Sequence, residues 1–201
     1  MVVESKVIEG FITRAYETAR SHGFHDVERS DEHFLMLVLS EIGEMVEADR
    51  KNKHADMEKF NEVMSHRDSS NEITRQHYFE TLIKDTLEDE LADVVIRLCD
   101  FCGKRNLVPL MPSGEVLGMS GEFDGIFGKM SVCEQCFSLS CLVSDISRQA
   151  HGYKHMKEHY LGMILSFCFE FADFHGIDLV WHVEQKMHYN ETRPMKHGKG
   201  Y

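Results

Sequence analysis

The chain has 201 residues, apolar content ordinary for a soluble protein, only three prolines, and a formal charge of −12. That charge excludes a nucleic-acid polymer as partner, because a phosphate backbone demands a basic surface. It leaves open a small anion bound through a metal. No run of 18 apolar residues is present, which excludes a membrane helix.

The chain begins MVVESKVIEGF, without the basic start and apolar block of a signal peptide. Six cysteines without such a leader point to a reducing compartment, the cytoplasm. A first helix is predicted from Val3 to His22, with Val7, Ile8, Phe11, Ile12 and Tyr16 on its apolar side and Gly23 ending it. Ser30-Asp31-Glu32-His33 offers N-cap chemistry for a second helix reaching Arg50. Lys51 to Gln76 is polar and reads as a long loop with a short helix near Met57 to Val63. A third helix is expected from Tyr78 to Cys102, stopped by Gly103.

Residues 108–130 hold most of the prolines and a cluster of glycines, and read as a linker. Beyond it, helices are predicted over Ser131 to Ala150, Lys154 to Phe174 (stopped by Gly176) and Leu179 to Tyr189, with a basic loop after Asn190. No segment alternates as a strand would, so the fold class is all-α, a helical bundle. Its parts are a first helical unit over 1–107, the linker, and a second unit over 131–201, together one compact domain.

Two acidic pairs carry the chemistry. Leu37, Glu41, Glu44 and Ala48 form an i, i+4, i+7, i+11 line on the second helix, beside Leu35, Val38, Ile42 and Met45. On the third, Ile83, Leu87, Glu90 and Val94 share a stripe and Asp93 follows Glu90 by one turn. Inward ionised carboxylates cost several kcal/mol or more unless partnered. Four together call for a hard cation, Mg²⁺ or Mn²⁺, which also binds phosphates and activates water. The bland alternative is a pair of solvated acidic faces on an acid-rich chain. One of the four acids, or the nearby Glu47, is expected to orient or deprotonate the attacking water. Lys186, Asn190, Arg193, Lys196 and Lys199 form a basic cluster suited to a bound anion, against the alternative of a disordered basic end.

Glu41-Ile-Gly-Glu44 and Glu90-Leu-Ala-Asp93, set in LMLVLSEIGEMVEADRK and EDELADVVIRLCDF, resemble the MazG-like all-α nucleoside triphosphate pyrophosphohydrolases. The terminal KMHYNETRPMKHGKGY is similar to the C-terminus of phage and bacterial members, and the matches span roughly half the chain. The resemblance implies Mg²⁺-dependent hydrolysis of a (deoxy)nucleoside triphosphate to the monophosphate and pyrophosphate, the four acids as metal ligands, the tail at the substrate, and a homodimer. Ser40 stands where many members carry a further Glu, and the Glu44 to Glu90 interval is longer than usual, so substrate choice does not carry over.

The second half echoes the first. LVSDISRQA parallels LVLSEIGEMVEA, and ADFHGIDL parallels CDFCGKRNL, which suggests a fused pseudo-dimer. In that register Asp145 answers Glu41, Arg148 answers Glu44, Met163 answers Glu90 and Ser166 answers Asp93, so the copy keeps few ligands. Cys99-Asp-Phe-Cys102 and Cys133-Glu-Gln-Cys136 form two CxxC pairs, a zinc signal set against plain packing on helices. Two rival functions stand beside the first: a phosphoribosyl-nucleotide pyrophosphohydrolase, and a non-enzymatic zinc-stabilised binding or regulatory protein.

Overall fold

A computed structural model describes residues 5–66, 71–111, 127–150 and 152–195. The described residues are all-helical: α1 (Ser5–Ser21), α2 (Asp31–Arg50), α3 (Met57–His66), α4 (Glu72–Leu82), α5 (Leu87–Arg105), α6 (Val132–Gln149), α7 (Lys154–His175) and α8 (Leu179–Thr192). Among them no helix is long and apolar enough to cross a membrane.

Side-chain caps set most starts. Ser30 accepts from the His33 amide at α2, Ser131 and Glu134 form a capping box at α6, and Asp178 accepts from the Trp181 amide at α8. Gly176, at φ 71°, ends α7 in the left-handed conformation.

Helix α5 is the axis of the bundle. It packs against α1, α2 and α8, α2 packs in turn on α6, and α6 on α7. Val38, Met45, Val94, Leu98, Val143 and Leu165 are sealed in one continuous core drawn from both halves of the chain. The expected linker is packed at both described ends. The Leu110 amide donates to the Glu158 carbonyl at 2.8 Å, while Phe127 meets Phe167 edge to face with centroids 5.0 Å apart. The chain lies so close to α7 there that a Cβ on Gly162 would sit 1.9 Å from the Leu110 carbonyl oxygen.

Three sequence expectations are corrected. The helix predicted over Tyr78 to Cys102 is two helices, α4 and α5, broken at residues 83–86. Asp85 takes φ 59°, Thr86 caps α5 by accepting from the Asp89 amide, and its hydroxyl donates to the Ile83 carbonyl. Gly103 does not stop α5, which runs on to Arg105 and ends at Asn106 with φ 51°. Its small size serves packing instead, since a Cβ there would lie 2.5 Å from Tyr16 Cβ. The segment expected as a loop with a short helix near Met57 to Val63 holds that helix as α3, running on to His66, and also contains the start of α4. These helices close a second small core in which Phe60, Phe79 and Ile83 meet Tyr189 of α8.

Candidate metal centre and its cavity

A cavity of about 210 Å³ opens between α1, α2, α5 and α8. Helix α2 sends Glu41 and Glu44 into it, because three residues turn a helix by about 300° and leave the two side chains neighbours. Helix α5 contributes Glu90, Asp93, Arg97 and Asp100, a stripe that starts where Thr86 caps the helix. Helix α8 adds Lys186, Met187 and Asn190, with Arg193 at its C-cap.

One carboxylate oxygen each of Glu41, Glu90 and Asp93 lies within 4.8 Å of the others. Among the described residues this is the group of three close metal-ligating side chains. Glu44 lines the same cavity, on the exposed side of the cluster. The expected four acids are thus brought together, three of them tightly.

Burial and then the charge of Asp93 push the Glu90 carboxyl up to about 8, and the same two causes raise Glu41. Arg97 Nε donates to Glu41 Oε1 at 2.9 Å and partly offsets this. Lys186 is 5% exposed, and its Nζ donates to Asp89 Oδ2 at 2.6 Å and to Asp93 Oδ2 at 2.8 Å. Burial disfavours that ammonium, but Asp89 and Asp93 outweigh it and the lysine stays charged. Asp89 is itself pushed up to about 6 by burial, with Lys186 holding it from rising further. Its Oδ1 is buried without a partner.

Asn190 and Arg193 face the cavity as expected, and the Asn190 Oδ1 is buried and unpartnered. His22 Nε2 donates to the Arg193 carbonyl at 2.9 Å, tying the end of α8 to α1. Lys196 and Lys199 lie outside the described residues. Glu47 is not brought to the cavity. Six residues beyond Glu41 the helix has turned by about 240°, and Glu47 pairs on the surface with Arg50 at 3.1 Å and Lys51 at 3.0 Å.

The sequence reading missed Asp89, Arg97, Asp100 and His25. Arg97 and Asp100 had a signal: Glu90, Asp93, Arg97 and Asp100 follow i, i+3, i+7, i+10, the spacing of one helix face. His25 Nε2 donates to Asp100 Oδ1 at 2.7 Å from a ring held between Tyr16 and Phe34. Nothing local in the sequence signals that contact across 75 residues.

All six cysteines are free. Cys99 and Cys102 are buried in α5, and that burial pushes both thiols well up. No family model, curated protein or solved structure matches this chain.

Proposed function

We propose that this chain is a divalent-metal-dependent nucleotide pyrophosphohydrolase, cleaving a (deoxy)nucleoside triphosphate with water into the monophosphate and pyrophosphate. The observation that carries the reading is the convergence of Glu41, Glu90 and Asp93 in a cavity that also presents Arg97, Lys186 and Arg193. An all-carboxylate donor set suits a hard cation such as Mg²⁺. The unpartnered Asp89 oxygen, and a Glu90 carboxyl raised first by burial and then by Asp93, fit a cluster that Lys186 alone does not satisfy. The resemblance of the two acidic helices and the tail to the MazG-like family supports the same reading.

Glu41, Glu44, Glu90 and Asp93 would hold the ion, which supplies charge neutralisation on the phosphates and activation of water. Glu44 is the acid best placed to orient the attacking water: it lines the cavity, whereas Glu41 is engaged by Arg97. Arg97 fixes Glu41, Lys186 fixes Asp93 and balances Asp89, and Asn190 and Arg193 meet sugar and phosphate oxygens. Helices α6 and α7 are read as the worn copy of α2 and α5. In them Asp145 pairs with Arg148 at 3.7 Å and Ser166 is buried. Superposition of the two helix pairs tests that reading. A homodimer is proposed with it, and sedimentation tests it.

Pyrophosphate release across all ribo- and deoxyribonucleoside triphosphates with Mg²⁺ tests the activity. Glu44→Gln and Asp93→Asn should each abolish turnover while leaving helicity intact. Near-normal turnover in either variant sinks the metal assignment. Release only from a phosphoribosyl nucleotide would favour the rival substrate on the same metal site.

A further inference from the structure

The cavity is chemically graded along α5. Ten residues separate Glu90 from Asp100, a rise of about 15 Å, so the acids around Glu90 and Asp93 and the carboxylate of Asp100 sit at opposite ends. Ala15 and Ala19 of α1, Phe24 next to His25, and Ile96 of α5 add small, aliphatic and aromatic surface to the cavity lining. That α1 stands beside this later part of α5 is fixed by the close approach of Tyr16 to Gly103.

The carboxylate is built in. Asp100 is 9% exposed, and His25, with 4% of its side chain exposed, holds Oδ1 at 2.7 Å from between two aromatic rings. His25 is therefore a positioning residue, and Asp100 Oδ2 together with the remaining lone pair of Oδ1 are the acceptors left for a ligand. Arg97, one turn earlier, gives its Nε to Glu41 and lines the same cavity.

We infer that this end of the cavity is a nucleobase slot selecting a guanine-type base through Asp100, an inference that rests on the nucleotide reading above. An apolar slot takes the planar ring, and an acceptor-only carboxylate demands donors from its edge. Guanine offers two in a row, the ring N1–H and the exocyclic 2-amine, and its 6-carbonyl suits the Arg97 guanidinium. Adenine and cytosine set an acceptor nitrogen beside their amine. Uracil flanks its one N–H with two carbonyls. Each of these places a lone pair against the carboxylate. Sites that read a donor reject analogues lacking it far better than apolar pockets reject a missing methylene.

Titration calorimetry of the full chain with guanosine and inosine monophosphates reads the slot directly, since the two differ only in the exocyclic amine. The guanosine nucleotide should bind about tenfold or more tightly, as a hydrogen bond to a charged acceptor implies, with cytidine and uridine nucleotides weaker still. Asp100→Asn, which exchanges an acceptor for a donor, should bring guanosine and inosine within about twofold. Equal binding of the two by the native protein, or a pyrimidine preference, overturns the slot without requiring any variant to fold. Pyrophosphate release separates the two readings. Turnover of triphosphates with no guanosine preference removes the base assignment alone. Guanosine selectivity with no turnover of any triphosphate removes the hydrolysis and leaves the slot. A chain that binds no nucleotide overturns both.

Discussion

Lys186 and Glu90 show how the cavity manages excess negative charge, one by a fixed cation and one by a held proton. Lys186 is buried against two acids, so removing it strands Asp89 and Asp93 in a poorly solvated site. Lys186→Met is expected to lower stability by about 3–5 kcal/mol, the range for breaking a buried ion pair from one side. Millimolar Mg²⁺ should recover part of that loss in thermal melts. A melting temperature unchanged from native would mean the pair is not buried as described. For Glu90 the sign runs the other way from a paired acid. Its folded carboxyl holds a proton up to about 8, whereas the unfolded chain releases it in the ordinary glutamate range. Between those limits the native state binds more protons than the unfolded one, so metal-free stability should fall as pH rises from about 4.5 to about 8. The raised Glu41 and Asp89 act in the same direction. Glu90→Gln should flatten that slope and raise the melting temperature near pH 8. Mg²⁺ binding by the native chain should tighten as pH climbs through this window, since the ion displaces the proton. A slope identical in native and variant protein would count against the buried, protonated Glu90.

At the scale of elements, apolar spacing was enough to find α1, α2, α6, α7 and α8, and with them the inward Glu41, although Glu44 on the same line stays exposed at the cavity. It failed where tertiary geometry overrode a local signal. The break before α5 had a sequence signature in Thr86 and Asp89, a cap followed by an acid three residues later, but the apolar run through Ile83 and Leu87 masked it. That run is buried on both sides of the break because Ile83 joins the small core of Phe60, Phe79 and Tyr189 while Leu87 joins the main one. Gly103 misled for a related reason. Glycine in a helix reads as a terminator from sequence, whereas here it lets α1 approach α5. The two roles predict opposite signs for Gly103→Ala. A helix position limited only by propensity would gain about 1 kcal/mol from alanine, but a Cβ placed 2.5 Å from Tyr16 Cβ must displace α1. Overpacking of that kind costs about 1–3 kcal/mol, and chemical denaturation should show a loss. A gain would show that α1 and α5 stand farther apart.

For the whole molecule, chain order and spatial order differ, and this decides what the sequence hid. Glu41, Glu90 and Asp93 come from the first unit, while the lysine that balances Asp93 comes from the last helix, 93 residues after Asp93. A boundary at residue 107 therefore cuts through the site even though it follows a real change in composition. The core repeats the point, since α2 packs on α6 and α5 on α8. Arg14 of α1 also reaches Glu184 and Glu191 of α8, adding a surface link across the same division. If the halves were autonomous, a fragment of residues 1–107 would fold, bind Mg²⁺ and melt cooperatively. The geometry predicts otherwise. Without α6 the face of α2 that packs on it meets water, and without α8 both Asp89 and Asp93 lose their ammonium. Exposing a run of core side chains forfeits about 1.5–3 kcal/mol for each, and a domain's net stability is only about 5–15 kcal/mol. Differential scanning calorimetry should therefore record one cooperative transition for the full chain and none for the fragment. Two separable transitions in the full chain, or a fragment that melts sharply and binds Mg²⁺, would show that the first half is a unit in its own right and that Lys186 is incidental to it.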